Sequence, residues 1–318
     1  MMLRSQASDL EGAPQLALSR ARPLLGTLVQ IKASGAAAHL PGAIDAAFRT
    51  IERLHHLLSY QEPYSELSLL NRQALHEPRQ VDPDTYAVLS AALQFAQLSD
   101  GAFDPCVASD LVRWGVLPTQ ALWGAGARET SGSWRDIDLL SDRRVCLRRP
   151  LQLDLSGIAK GYAVDRAVEV LRDAGADQIL VNAGGDLRCV GPCAQDIWLR
   201  HPSAPGQAMH RIRLQDAALA TSGAYYSRQP GPSGEVSALV NPARHAPHLA
   251  SGSVSVRARN CRSADALTKV VLFAPPALAE RALAACDAVA FVHPPDPSLL
   301  ENGSAPHRLP PRLAAHAP

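Results

Sequence analysis

No stretch of this sequence stays apolar for the roughly 20 positions a bilayer-spanning helix requires, so no membrane segment is expected in the chain. Residues Met1 to Arg22 are polar and broken by Gly12 and Pro14, with neither an apolar signal core nor a cysteine to carry a lipid. As written, the chain reads as cytoplasmic; a start codon placed elsewhere would change that expectation to periplasmic. Charge of one sign is also lacking. The formal net charge is +1 with the basic residues dispersed, which argues against nucleic acid and anionic membrane surfaces as partners. The cysteines form no framework either. Cys189 and Cys193 are the one close pair among six, and they have no partner pair with zinc-site spacing. No internal repeat and no linker divides the chain.

What is there is ordinary globular material: 318 residues, 47% hydrophobic and 19% charged. Pro41 opens a helix whose residues Ile44, Ala47, Phe48, Ile51, Leu54 and Leu58 recur at helical spacing. His55 and His56 lie beside that stripe and read as solvated surface. Ser65 caps a short helix carrying Ser68 and Asn71, and Asp84 is expected to cap another that ends at Asp100-Gly101. Residues 115 to 135 read as a long surface loop, and a small hairpin follows around Asp142. Short strands are expected from Ile197 onward, with a turn at Thr221-Ser222-Gly223 and a strand over Val236 to Val240. Ser251, Val254 and Val256 then alternate as a strand, and Ser263 is expected to cap a helix ending at Phe273. Hairpins mixed with helices indicate α+β rather than a regular βαβ array. The predicted organisation is a flexible leader over 1–22, one domain of mixed and antiparallel sheets with packed helices over 23–293, and a Pro-rich disordered tail over 294–318.

Chemistry concentrates in Leu151 to Asp165. The pattern predicts a strand ending in Asp154, a turn at Gly157, and a helix with Lys160 in its first turn, followed by a second strand ending in Asn182-Ala183-Gly184-Gly185-Asp186. A cation is disfavoured at a helix N-terminus unless it meets an anion, so Lys160 is either a surface lysine or a ligand contact. The stretch is not a Walker loop, because it lacks the glycine-framed anion nest and the Lys-Ser/Thr ending. Taken alone, Asp154 reads first as a capping or turn carboxylate, and Gly184-Gly185-Asp186 reads equally well as a plain turn.

In company these segments are more specific. Gly26-Thr27, Ser59-Tyr60 with Ser65 to Asn71, and Gly101 to Pro105 come first. Asp154 to Asp165, Asn182 to Asp186, Ala220 to Tyr225, Asn241-Pro242, and Ser253 to Val256 with Ala264 to Leu267 follow in order. Together they resemble the FAD:protein FMN transferases, the ApbE family, over roughly residues 22 to 292. The resemblance implies magnesium-dependent transfer of the FMN half of FAD to a Thr or Ser hydroxyl of an acceptor flavoprotein, with release of AMP. An alternative is a FAD-binding protein without transferase activity, or a FAD pyrophosphatase giving FMN and AMP. By position, the resemblance implies FAD contacts at Leu25, Tyr60, Ala102, Phe103, Asp104, Asp154, Lys160 and Leu239. It also implies Mg²⁺ contacts at the Gly157 carbonyl and Asp265, and hard oxygen ligands suit that ion.

Two positions depart from the family pattern inside the site. Where a metal-binding threonine is expected four residues after Asp265 the chain has Lys269; Thr268, one residue early, is the candidate for that metal contact and would need a local shift to serve, since one helical step turns a side chain by about 100°. Two readings of Lys269 stand side by side: an ammonium near the pyrophosphate that partly substitutes for metal charge, which makes Lys269 a candidate catalytic residue with Asp265, or a side chain directed to solvent. Ala238 takes the place of the family's histidine, a candidate base for the acceptor hydroxyl. His245 and His248 follow nearby on a loop.

Overall fold

Seven strands succeed one another along the chain and lie side by side in that same order. They are β1 (Gln15–Leu24), β2 (Thr27–Ala36), β3 (Ala176–Ala183), β4 (Asp186–Val190), β5 (Ala217–Gly223), β6 (Ser253–Ala258) and β7 (Val289–His293). Every neighbouring pair is antiparallel. The computed structural model describes residues 15–36, 39–119, 132–202 and 204–293. Between β2 and β3 the chain inserts α1 (Leu40–Leu58), α2 (Glu66–Gln73), α3 (Pro83–Leu98), α4 (Ala108–Arg113) and α5 (Ser156–Asp173). Between β6 and β7 it inserts α6 (Cys261–Phe273) and α7 (Pro276–Ala285). This is the α+β arrangement of antiparallel sheet and packed helices that the sequence predicts.

Strand alternation divides the core in two. Ile179, Val181 and Ala183 of β3, with Ala218 and Ala220 of β5, face the helices and join Phe48, Ile51, Ile158, Val164 and Leu267 in one large cluster. The intervening Leu180, Leu187, Cys189 and Leu219 face the other way. There a hairpin of Gln195–His201 with Ala204–Leu214 covers them through Leu199, Ile212 and Leu214.

Several expectations fail, each for a local reason. Residues 15–22 are no leader: they form most of β1, with Leu16 and Leu18 packed on the large core and Arg20 and Arg22 both paired with Asp45. Residues 1–14, the segment 120–131 inside the expected 115–135 loop, and the tail from 294 lie outside the described residues. Leu151 to Asp154 joins no ladder, because the Asn71 amide takes both backbone groups of Leu153, at 3.0 and 2.7 Å, in place of a neighbouring strand. Gly157 therefore sits inside the first turn of α5 rather than in a turn before it. Thr221-Ser222-Gly223 belongs to β5, held against β6. Val236 to Val240 is broken between two small ribbons. The caps move by a few residues: Asp82 accepts the Asp84 N–H, and Asn260 accepts the Ser263 N–H at 2.8 Å. Ser65 does cap α2, through the Ser68 N–H. All six cysteines are free. Among the described residues, no helix is long and apolar enough to cross a membrane.

Candidate active site

The site is built where α5 meets α6. A Cβ at Gly161 would stand 2.4 Å from the Cys261 carbonyl oxygen, so only glycine lets the two backbones approach this closely. One turn further along α5, the Asp165 carboxylate accepts the first N–H groups of α6, from Cys261 and Arg262, each at 2.9 Å. Arg188 of β4 donates to the same carboxylate at 2.9 Å. With the start of α6 tied to the middle of α5, Asp265 falls on α5 itself, and its Oδ2 accepts the Gly161 N–H at 3.2 Å. One turn beyond Asp265, Lys269 runs beside Gly157, its Cε 3.6 Å from where a Gly157 Cβ would be.

The N-terminus of α5 is open. Its cap residue is Leu155, which offers no side-chain acceptor. Asp154 holds Ser156 through its N–H at 3.0 Å and its hydroxyl at 2.6 Å. Gly157 N–H has no hydrogen-bond partner among the described residues. Lys160 pairs with Asp186 at the turn between β3 and β4, where Gly184 and Gly185 have φ of 66° and 107°.

Two cavities flank this helix end. The larger, about 330 Å³, is lined by Ala102, Phe103, Asp104, Asp154, Gly157, Lys160, Leu239 and Lys269, among others. The smaller, about 210 Å³, is lined by Leu25, His55, Tyr60, Asp154 and Lys160, among others. Asp154, Ser156 and Lys160 line both, so the two chambers adjoin with these residues as the waist between them. Leu25 reaches it from the tight turn between β1 and β2, where its φ is 56°.

Burial sets the electrostatics. It raises the Asp154 carboxyl above its usual range, against the hydrogen bonds from Ser156. It raises Asp104 likewise, although Cys106 and Trp134 donate to that carboxylate. Asp265 is also raised by burial, with Lys269 pulling the other way. The Tyr60 phenol is pushed well above its ordinary value by burial and then by Asp154, so it stays protonated. Burial alone would lower Lys160, yet Asp186 and Asp265 outweigh it and keep this side chain an ammonium.

The comparisons with known proteins point one way. The sequence model of the ApbE family matches residues 25–292. The chain belongs to the ApbE family. It is similar to the FAD:protein FMN transferase of Treponema pallidum, 29% identical over 276 residues, covering 78% of this chain and 76% of that protein. It is also similar to the FAD:protein FMN transferase of Chlamydia trachomatis, 30% identical over 249 residues, covering 71% of this chain and 75% of that one. The crystal structure of the ApbE protein of Thermotoga maritima superposes with a TM-score of 0.74 at 25% identity, over 91% of this chain and all of that one. The apo flavinyl transferase ApbE of Pseudomonas stutzeri, at 21% identity, shares the fold with a TM-score of 0.73 over 87% of this chain and 91% of its own.

Within this ApbE fold, every residue expected to contact FAD lines one of the two cavities. Of the expected metal and charge residues, Gly157 and Lys269 line the larger cavity, whereas Asp265 and Thr268 lie buried behind it. Lys269 is 14% exposed and bonded to Asp265, so its side chain is not directed to solvent. The residues do not fit the expected Mg²⁺ in this arrangement. The Lys269 ammonium occupies Asp265 Oδ1. Thr268 Oγ1 is turned to the Asp265 carbonyl, at 2.6 Å, and to Ser222 Oγ, at 2.7 Å. Among the described residues, no group of three or more His, Cys, Asp or Glu could hold a metal ion.

Ala238 lines the larger cavity and brings no proton acceptor to it. His245 pairs with Asp110 at 2.9 Å and His248 packs edge-on against Phe273, and neither lines the two cavities. Sequence reasoning missed His55, whose half-buried ring lines the smaller cavity rather than facing solvent throughout. Ser222 as the partner of Thr268 is also out of its reach, because Thr221-Ser222-Gly223 has the residue pattern of a turn. Asp186 as the partner of Lys160 was within reach: both belong to motifs that were singled out, but no local signal joins them.

Proposed function

We propose that this chain transfers the FMN half of FAD to a Thr or Ser hydroxyl of an acceptor flavoprotein, with AMP as the leaving group. The observation that carries this reading is the two-chambered cavity whose waist is Asp154 and Lys160, beside the open N-terminus of α5 and Lys269. FAD has the same plan: two ring systems joined by a charged pyrophosphate. The free Gly157 N–H and the ammonium groups suit the pyrophosphate, since helix N-termini and lysines both stabilise phosphate oxygens. Phe103 and Leu239 offer apolar surface in one chamber, and Leu25 and Tyr60 in the other.

The reaction is an in-line displacement. The acceptor oxygen bonds to the flavin-side phosphorus, the bridging P–O bond breaks, and AMP leaves with the electron pair. The hydroxyl proton passes to solvent at the cavity mouth, where Ala238 provides no base. Catalysis of this kind rests on positioning and on charge held at the phosphates. The Mg²⁺ that the family resemblance implies would need Lys269 to leave Asp265 before it could bind there.

A second reading, hydrolysis of FAD to FMN and AMP, is favoured by Ala238, which leaves room for water where the family has a histidine. The protein should be incubated with FAD and a flavoprotein carrying the family's target motif, with AMP and covalent flavin measured together. Fluorescence of the denatured acceptor on a gel is expected, with AMP in step. AMP without labelled acceptor would select hydrolysis, and bound FAD with neither product would reduce the chain to a flavin-binding protein.

A further inference from the structure

Only three of the 31 basic residues in this sequence are lysines, Lys32, Lys160 and Lys269, and two of those three line the larger cavity. Elsewhere the chain uses arginine almost without exception. Arginine is a wide, planar fork, whereas lysine is a compact point charge on a slim stem. The stem of Lys269 runs past Gly157, which has no side chain to meet it. A Cβ on Gly157 would stand 3.6 Å from its Cε and 3.3 Å from the Phe103 ring. Its ammonium ends on Asp265 Oδ1 and on the Asp265 carbonyl, the latter at 3.1 Å. Gly157 and Asp265 are the two groups to which the family resemblance assigns a divalent ion, and here a covalently attached cation stands between them.

The charges around the waist support this. Asp154, Asp186 and Asp265 stand around Lys160 and Lys269, and Asp104 lines the same cavity, so carboxylates outnumber ammonium groups here. A threonine at 269 would remove one of the two ammonium groups, and a divalent cation would then be the natural charge partner for a pyrophosphate beside these carboxylates. Thr268 cannot serve as the missing oxygen ligand, since its hydroxyl is buried against Ser222 and the carbonyl of Asp265. We infer that Lys269 is the built-in cation of this site, holding the pyrophosphate of FAD and the charge of the departing AMP in place of a bound metal. The inference rests on the flavin-transfer reading for its ligand, but not on transfer being active.

The test measures FAD affinity by flavin fluorescence in excess chelator and in excess Mg²⁺, for the wild-type chain, Lys269→Thr and Lys269→Arg. Acceptor labelling is followed separately, and Mn²⁺ binding is read by electron paramagnetic resonance. The wild-type affinity is expected to be the same in both conditions, with no Mn²⁺ bound at the site. Lys269→Thr is expected to bind FAD about tenfold more weakly or worse in chelator, the loss of a charged hydrogen bond, and to recover with Mg²⁺ as it gains Mn²⁺ binding. A wild-type affinity that falls on chelation and returns with Mg²⁺ overturns the inference, and continued labelling would leave the transfer reading standing. Equal affinity in both conditions with no labelled acceptor supports the built-in cation and removes transfer. FAD bound in neither condition removes both. The wild-type comparison decides even if Lys269→Thr fails to fold.

Discussion

Helices α5 and α6 meet at one site, and their N-termini are treated in opposite ways. The start of α6 is fully closed: Asn260 caps the Ser263 N–H and Asp165 takes the N–H groups of Cys261 and Arg262. The start of α5 has Leu155 at its cap position and leaves the Gly157 N–H free at the edge of the larger cavity. One helix end is closed by side chains and the other is left open beside the cavity. The difference also explains where this chain departs from its family. The α5 side carries the residues the family pattern leads one to expect, whereas the α6 side and the bend bearing Ala238 carry the substitutions. A helix anchored at its start can change a side chain one or two turns along without losing its place.

The strongest way to break this comparison is to release the anchor. Asp165 is buried and is the partner of Arg188 as well as of two backbone N–H groups. Asp165→Ala leaves the half-buried Arg188 guanidinium and two backbone N–H groups without this acceptor, which costs on the order of 3 kcal/mol, and α6 loses its fixed register on α5. The expected result is a large drop in the urea midpoint and weak FAD binding even where the protein remains folded. If the midpoint falls while FAD affinity is untouched, α6 does not depend on this anchor for the site.

The next effect tests the contact between the helices. Within an isolated helix, Gly161→Ala would gain up to about 1 kcal/mol in propensity. Here the new methyl would meet the Cys261 carbonyl at 2.4 Å, a backbone atom that cannot swing aside. Overpacking of this kind costs about 1–3 kcal/mol, so steric cost wins and the protein is destabilised. The gap between Gly157 and Lys269 should widen with it. Thermal unfolding with and without FAD checks both parts: a lower Tm, and a smaller rise on adding FAD than the wild-type chain shows.

These anchors were not legible in the sequence, and the reason is physical. The α1 stripe from Ile44 to Leu58 could be read because one buried helix face repeats with a fixed period, and all six of its residues are buried. Leu151, Leu153 and Leu155 alternate like a strand, yet the partner of that segment is the side chain of Asn71, 82 positions from Leu153, which no local pattern reveals. β1 was hidden for the converse reason: Arg20 and Arg22 continue the face begun by Leu16 and Leu18, so its apolar alternation stops halfway. The cavity-lining residues are reached through motif order, which specifies identity but not contact. That Lys269 would turn to Asp265, and Thr268 away to Ser222, depends on the rotation of α6, which Gly161 and Asp165 set through the packing of two distant segments.

The smallest expected effect sharpens the comparison most. Asn260 caps α6 by accepting the Ser263 N–H at 2.8 Å, while α5 has no side-chain cap at the equivalent place. Asn260→Ala removes one acceptor and should cost about 1 kcal/mol. The N–H groups of Cys261 and Arg262 stay on Asp165, so the direction of α6 and the positions of Asp265 and Lys269 are preserved. FAD affinity is therefore expected to remain at the wild-type value while the urea midpoint shifts slightly. A fall in affinity with so small a loss of stability would place the cap among the ligand-positioning groups, and α6 would then resemble α5 in using its N-terminus for the site.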